Sequence, residues 1–128
     1  MSAAPTNVLA ILIAILVSAG CADPFIESTT ILADTTDLVG PYSVATVAIG
    51  TSEADRLEIR HRTGDTDDST TMRGDGDLFE GSIPAPEAAG EIAYCVLLIS
   101  GDAIVDRDPG GDDTSDDCGG RFVFSVGP

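Results

Sequence analysis

The residues that follow Cys21 form short segments in which apolar and polar side chains alternate, and this alternation limits the possible fold more than any other feature of the chain. In RLEIRHR (56–62), Leu57, Ile59 and His61 occupy one face, and the charged residues around them occupy the other. This pattern is typical of an antiparallel strand with one buried face. The same criteria predict seven strands, at residues 25–32, 42–49, 56–62, 70–73, 77–85, 90–100 and 121–126.

Seven short strands with no helical pattern between them predict an all-β fold, a seven-stranded β-sandwich over residues 25–128. The most apolar of these segments, residues 90–100, is expected to be a central strand. A chain of 128 residues is long enough for one domain of this kind and its core. We therefore expect a single sandwich domain behind the N-terminal segment.

The first 20 residues contain no charged side chain, and the apolar run at residues 8–19 ends just before Cys21. A run of about twelve apolar or small residues is shorter than the roughly 20 that span a bilayer and is typical of the core of a signal peptide. The small residues Ser18, Ala19 and Gly20 before Cys21 resemble the lipobox of bacterial lipoproteins. The N-terminal segment therefore predicts export.

The resemblance to bacterial lipoproteins implies that residues 1–20 are a removed signal peptide, that Cys21 is acylated and that residues 21–24 form a short tether. Two or three acyl chains, palmitate among them, hold a protein stably on a membrane. Ala22, where an aspartate would retain the protein at the inner membrane, implies the outer membrane, facing the periplasm or the cell surface. Two alternatives stay open: an ordinary signal peptide cut near Ala19, and an uncleaved anchor helix.

Cys95 and Cys118 are the two cysteines that are left when Cys21 carries lipid. An exported protein folds in an oxidising compartment, where an even pair of cysteines favours a disulfide. A metal site would need more cysteine or histidine residues nearby than the sequence offers. A disulfide between them would close the chain from residue 95 to residue 118 into a loop. In the chain-entropy model this stabilises the folded state by about 3 kcal/mol.

Several stretches of the chain resemble the immunoglobulin-like or fibronectin-type-III-like module of bacterial secreted proteins. They are Gly40-Pro41-Tyr42, Leu57 to Arg60, Ile83-Pro84, and Gly90 to Tyr94 with Asp102 after the strand. The resemblance implies an immunoglobulin-like β-sandwich. Such modules act as spacers, adhesive units or accessory domains, so the resemblance does not indicate a ligand.

The net charge of the chain is −16, and all six basic residues are arginines. A surface of this sign repels nucleic acid and anionic lipid headgroups, which argues against a phosphate-binding role. Cations, basic protein surfaces and neutral polymers are the compatible partners. The acidity fits adaptation to salt as well as it fits a biased genome composition.

The segment at residues 102–117 holds seven aspartates and one base, Arg107. Calcium takes six to eight oxygen ligands, which carboxylates and backbone carbonyls of a glycine-containing loop can supply. The sequence thus allows a calcium site. Its candidate ligands are Asp102, Asp106, Asp108, Asp112 and Asp113. The alternative is a solvated acidic hairpin loop, and the spacing does not match the helix–loop–helix pattern of known calcium loops.

Two other features invite functional interpretation. His61 is the single histidine, and no nucleophile or zinc signature accompanies it, so a structural role is favoured over a catalytic or metal-binding one. Arg73-Gly74-Asp75 matches an adhesion tripeptide, but such a match is common by chance, and a turn between short strands is expected.

These observations predict a non-enzymatic, membrane-anchored lipoprotein of the cell envelope with a structural, adhesive or protein-interaction role. No catalytic residue is predicted. The expected partners are the membrane, through the N-terminal lipid, and another envelope protein. Two alternatives stay open: a calcium-dependent binding module that uses residues 102–117, and an accessory subunit of an exported hydrolase.

Overall fold

A computed structural model describes residues 23–31, 40–110 and 117–127. These residues form strands, turns and loops, with no helix among them and hence none that could cross a membrane. The strands are β1 (Phe25–Ile31), β2 (Tyr42–Ile49), β3 (Asp55–Thr63), β4 (Thr66–Thr71), β5 (Arg73–Asp75), β6 (Leu78–Ile83), β7 (Gly90–Ser100), β8 (Ala103–Asp108) and β9 (Phe122–Val126). The apolar run and Cys21 lie outside the described residues.

The strands form two antiparallel sheets, which confirms the predicted all-β sandwich. One sheet, called here the β2 sheet, has the order β1-β2-β6-β5. The other, called the β7 sheet, has the order β4-β3-β7-β8, and β9 also pairs with β7. β7 is central, as the sequence predicted, because it pairs with β3 along one edge and with β8 and β9 along the other.

The main core lies between the two sheets, and β2, β3 and β7 turn every second side chain toward it. Tyr42, Val44 and Ala48 of β2 face Leu57 and Ile59 of β3, and all five are fully buried. Burial of one such aliphatic or aromatic side chain contributes about 1.5–3 kcal/mol. The alternation seen in the sequence of β3 is therefore the alternation of core and solvent along that strand.

Packing at the start of β2 explains the stretch Gly40-Pro41-Tyr42. Gly40 has a φ of 45° and packs so closely on Ala85 that an added Cβ would lie 2.7 Å from the Ala85 Cβ. Tyr42, fully buried, then begins β2 and packs its ring edge-on against Phe124 at a centroid distance of 5.5 Å. Gly40 thus allows the close approach that brings Tyr42 into the core.

The described residues contain nine strands rather than the predicted seven, and the first difference lies at residues 66–75. The predicted strand at 70–73 is two strands, because the chain passes from the β7 sheet to the β2 sheet at Met72. The Met72 side chain is buried, and its N–H donates a hydrogen bond to the Leu57 carbonyl at 2.8 Å. β4 also begins earlier than predicted, at Thr66, where a loop was expected.

The second difference concerns residues 103–108, which were assigned to the acidic loop and instead form β8. Ile104 of β8 packs on Ile99 and its neighbours, which gives this acidic strand an apolar contact. β8 pairs with the second half of β7, and β9 pairs with the first half. β8 and β9 therefore act together as one edge strand beside β7, and residues 109–121 interrupt that strand.

Candidate functional site

Residues 109–121, called here the insertion, leave the β7 sheet after β8 and return to it at β9. Pro109 follows the last residue of β8 and has no N–H to continue the ladder. The two ends of the insertion then meet, since a Cβ added to Gly120 would lie 3.0 Å from the Gly110 carbonyl oxygen. Glycine at position 120 is what allows this approach.

A disulfide between Cys95 and Cys118 links the insertion to the sheet, as the sequence predicted. Cys95 lies in β7 between Tyr94, which pairs with β9, and Val96, which pairs with β8. The disulfide thus joins the insertion to β7 at the position where its pairing changes from β9 to β8. The Cα atoms are 5.8 Å apart, within the ordinary range for a disulfide.

The disulfide belongs to a second, smaller core on the outer face of the β7 sheet. Cys95, Leu97, Ile99 and Cys118 are all buried, and Ile104 packs against them. Cys95, Leu97 and Ile99 alternate with the residues of β7 that face the main core. Both faces of β7 are therefore covered, which explains why its sequence is almost continuously apolar.

Two arginines fix Asp117 at the end of the insertion. The Arg60 guanidinium lies 2.7 Å from the Asp117 carboxylate, and the Arg107 Nε–H donates to the Asp117 carbonyl oxygen at 2.8 Å. An exposed ion pair contributes only about 0.2–1 kcal/mol. Together with the adjacent disulfide, these contacts hold the backbone at Asp117 and Cys118 against the sheet.

Five of the six arginines come from the elements around this site. A groove of about 220 Å³ is lined by Arg60, Arg62, Arg121, Asp67, Asp68, Asp117 and Cys118. Arg62 pairs with Asp67 across the β3–β4 hairpin at 2.8 Å, and Arg56 pairs with Glu58 at 3.1 Å. Most of the basic residues of this strongly acidic chain thus lie on the β7 sheet and pair there with acidic residues.

The predicted calcium ligands occupy different parts of the fold. Asp106 and Asp108 belong to β8, and Asp102 lies in the turn before it, whereas Asp112 and Asp113 lie outside the described residues. Within the part of the chain that the structure describes, no three His, Cys, Asp or Glu side chains could hold a metal ion together. The calcium site stays a prediction that depends on Asp112 and Asp113.

Asp106 has a structural contact that the sequence did not reveal. Its carboxylate accepts a hydrogen bond from the Ile26 N–H of β1 at 2.8 Å. Asp106 is paired with Leu98, which faces the main core, while Arg107 is paired with Leu97, which belongs to the second core. Asp106 therefore lies on the face of β8 opposite to Arg107 and connects the edges of the two sheets.

Replacement of Asp106 by alanine is expected to destabilise the domain by about 1–2 kcal/mol, because the Ile26 N–H loses a charged acceptor. Urea unfolding followed by circular dichroism would measure the change. Asp102→Ala is the matched control, since it removes one exposed carboxylate of the same segment. Equal stability of the two variants would contradict the bridging role of Asp106.

His61 faces the interior at one end of the sandwich, with only 6% of its surface exposed. Its Nε2 is buried and has no hydrogen-bond partner among the residues described. Burial lowers the pKa of His61, an effect that the nearby Asp68 and Asp67 partly oppose. The burial supports a structural role for His61.

The lowered pKa of His61 predicts pH-dependent stability. The unfolded chain binds a proton at His61 more readily than the folded chain does. The contribution of neutral His61 to the free energy of unfolding is therefore complete above the ordinary pKa of 6.5 and is lost as the pH falls below it. The free energy of unfolding, measured between pH 7.5 and 5.5, should fall less steeply in His61→Leu than in the wild type, by at most about 1.4 kcal/mol per pH unit. The same pH dependence of the free energy of unfolding in both proteins would contradict the lowered pKa of His61.

The Arg73-Gly74-Asp75 tripeptide forms β5, the exposed edge strand of the β2 sheet, rather than a turn. Gly74 is opposite Phe79 of β6, and an added Cβ would overlap the Phe79 ring. The glycine is thus required by packing. This local contact explains why position 74 is glycine.

The chain matches no protein-family model, no curated protein and no solved structure. Its role is therefore inferred from its own residues. Three features of the described residues bear on function: the order of the strands, the disulfide-linked insertion and the concentration of arginines on the β7 sheet. Acylation of Cys21 stays a prediction, since this residue lies outside the described part of the chain.

Proposed function

We propose that this protein is a non-enzymatic lipoprotein of the bacterial cell envelope, in which acylated Cys21 holds an immunoglobulin-like module on a membrane. The disulfide supports export, because such bonds persist in oxidising compartments. The small residues before Cys21 and the short apolar run support the lipid anchor. In this proposal the insertion, with its acidic residues, is the element that contacts a partner protein.

The order of the strands supports the immunoglobulin-like assignment. A constant-type immunoglobulin domain has one sheet of strands A, B, E and D and a second sheet of strands C, F and G. The β2 sheet has the first order, with β1, β2, β6 and β5 in these places. In the β7 sheet, β3, β7 and β8 take the places of C, F and G, β4 is an added edge strand beside β3, and β9 continues the interrupted last strand.

The observation that carries the proposed role is the fixation of the insertion. An interrupted edge strand gives up ladder hydrogen bonds, yet here both ends of the interruption are joined and held by a disulfide and by two arginine contacts to Asp117. A base that is already fixed at Gly110 and at Asp117–Cys118 does not have to be ordered when a partner binds, which lowers the entropic cost of association. A complementary partner surface is basic, because opposite potentials favour association.

Site-specific photo-crosslinking in the bacterial envelope tests this role. A photoreactive residue at position 113 of the insertion should give a covalent adduct with another envelope protein. The same residue at Ser82, on the outer face of the β2 sheet, is the control. Changing Asp112, Asp113, Asp116 and Asp117 to asparagine, with the photoreactive residue then placed at Thr114, should remove the adduct. Equal adducts from positions 113 and 82 would contradict a role of the insertion.

A further inference from the structure

The outer face of the β2 sheet carries an exposed apolar patch at one end of the sandwich. The cross-strand partners Phe25 and Ile49 share a face, as do Val47 and Leu78, and Val47 and Ile49 are two positions apart on β2, so the four side chains form two adjacent pairs on this face. Phe25 is 48% exposed and Leu78 is 45% exposed. We call these four residues the apolar patch.

The other end of this outer face is polar and its middle carries no large apolar side chain, so the large apolar side chains are confined to one end. Ser43 and Ser82 are paired at the far end, and Ala45 is paired with Glu80 between the two ends. An exposed group of large apolar side chains at one end of a face is a common mark of an interaction site.

The position of the apolar patch relative to Cys21 indicates the partner. Phe25 is the first residue of β1 and follows Cys21 by four residues, so an extended tether reaches at most about 14 Å. Pro24 already lies on Gly50 at the end of β2, since an added Gly50 Cβ would be 3.5 Å from the Pro24 Cα. If Cys21 carries lipid, this end of the sandwich cannot leave the membrane surface.

The charges around the apolar patch restrict the kind of membrane. Asp75 is the cross-strand partner of Leu78, and the Asp77 carbonyl accepts the Ala48 N–H at 2.9 Å, so two acidic residues lie beside the patch. Asp23 lies two residues before Phe25 in the sequence. These carboxylates repel anionic headgroups and leave a zwitterionic surface as the compatible one.

We propose that the apolar patch rests in the headgroup region of a zwitterionic lipid bilayer and orients the domain, an inference that rests on the proposed lipid anchor. The polar zone on each side of a bilayer is about 5–8 Å deep, which matches contact by side chains at the end of a short tether. The β2 sheet then faces the membrane. The β7 sheet, with the insertion, faces away from it.

Tryptophan substitution tests this orientation directly, because the chain contains no tryptophan. The acylated protein is placed on phosphatidylcholine vesicles whose acyl chains carry bromine, a quencher of tryptophan fluorescence. Phe25→Trp and Leu78→Trp should be quenched at least twofold more than Val123→Trp. Val123 is the matched control, since it is 58% exposed and lies on β9 of the other sheet.

Flotation of the same vesicles separates the two ways in which the inference can fail. Vesicle-bound protein with equal quenching at positions 25, 78 and 123 would overturn the membrane contact and leave the lipid anchor intact. Protein that is not acylated and does not float would overturn both the contact and the proposed function. Thermal unfolding of each variant in detergent checks that the substitutions leave the fold unchanged.

Discussion

Replacing Cys95 and Cys118 together by alanine is expected to lower the free energy of unfolding by about 3 kcal/mol, because the unfolded chain regains the freedom that the closed loop removes. The melting temperature should fall on the order of 15 °C, since 1 kcal/mol corresponds to about 4–8 °C in a domain of this size. Loss of the buried sulfur atoms from the second core acts in the same direction. Differential scanning calorimetry measures the change.

Reduction of the wild-type protein is the control for this variant, because it opens the disulfide and keeps the cysteine side chains in place. The reduced protein should lie between the wild type and the double variant. Ile104→Ala, which weakens the second core and leaves the bond intact, reports the packing contribution alone. A double variant that melts within about 3 °C of the wild type would show that the bond does not stabilise the domain.

Cys21→Ser is expected to remove the protein from the membrane fraction of a bacterial host or to leave an unprocessed precursor. Serine has no thiol to form the thioether with diacylglycerol, and without acyl chains no covalent membrane anchor exists. Fractionation, together with labelling by a clickable palmitate analogue, measures both anchoring and acylation.

Ala22→Ser is the matched control for Cys21→Ser, because it changes a neighbouring small residue and keeps the thiol. It should remain labelled and membrane-bound. A mature-sized Cys21→Ser protein that stays in the membrane fraction would contradict the lipid anchor. An unlabelled but secreted wild type would favour the ordinary signal peptide cut near Ala19.

The sequence predicted the fold class and the centre of the β7 sheet because burial determines both. The alternation in β3 and the apolar run of β7 follow directly from which side chains of these strands are buried. The disulfide could be predicted because cysteine pairing depends mainly on the number of cysteines and the compartment. These inferences need no knowledge of which strands are neighbours.

The missed strand β8 shows where reasoning from sequence ends. Asp106 and Asp108 counted as loop formers, but Asp106 lies on an edge strand, where its carboxylate reaches the Ile26 N–H of the other sheet. That contact joins residues 80 positions apart. The change of sheet at Met72 likewise depends on the Leu57 carbonyl, which no local pattern reveals.

The candidate site was predicted only in part for the same reason. Arg56, Arg60 and Arg62 could be placed on one face from their spacing in β3. Arg107 and Arg121 join this region because β8 and β9 lie on the far edge of β7, which is a property of the topology. Asp117 was counted as one acid among seven, although it is the residue that two arginines hold.

The contact between Gly110 and Gly120, together with the contacts of Asp117 and Cys118, leaves the number of residues between positions 110 and 117 as a nearly free variable. Because the disulfide and the strand pairing already bring the two ends together, a longer segment changes neither the ladder of β7 nor the second core. The entropic cost of closing a loop grows slowly with its length, by only about 0.6 kcal/mol for each doubling. The sandwich can therefore carry segments of quite different length and chemistry at this point while its architecture stays the same.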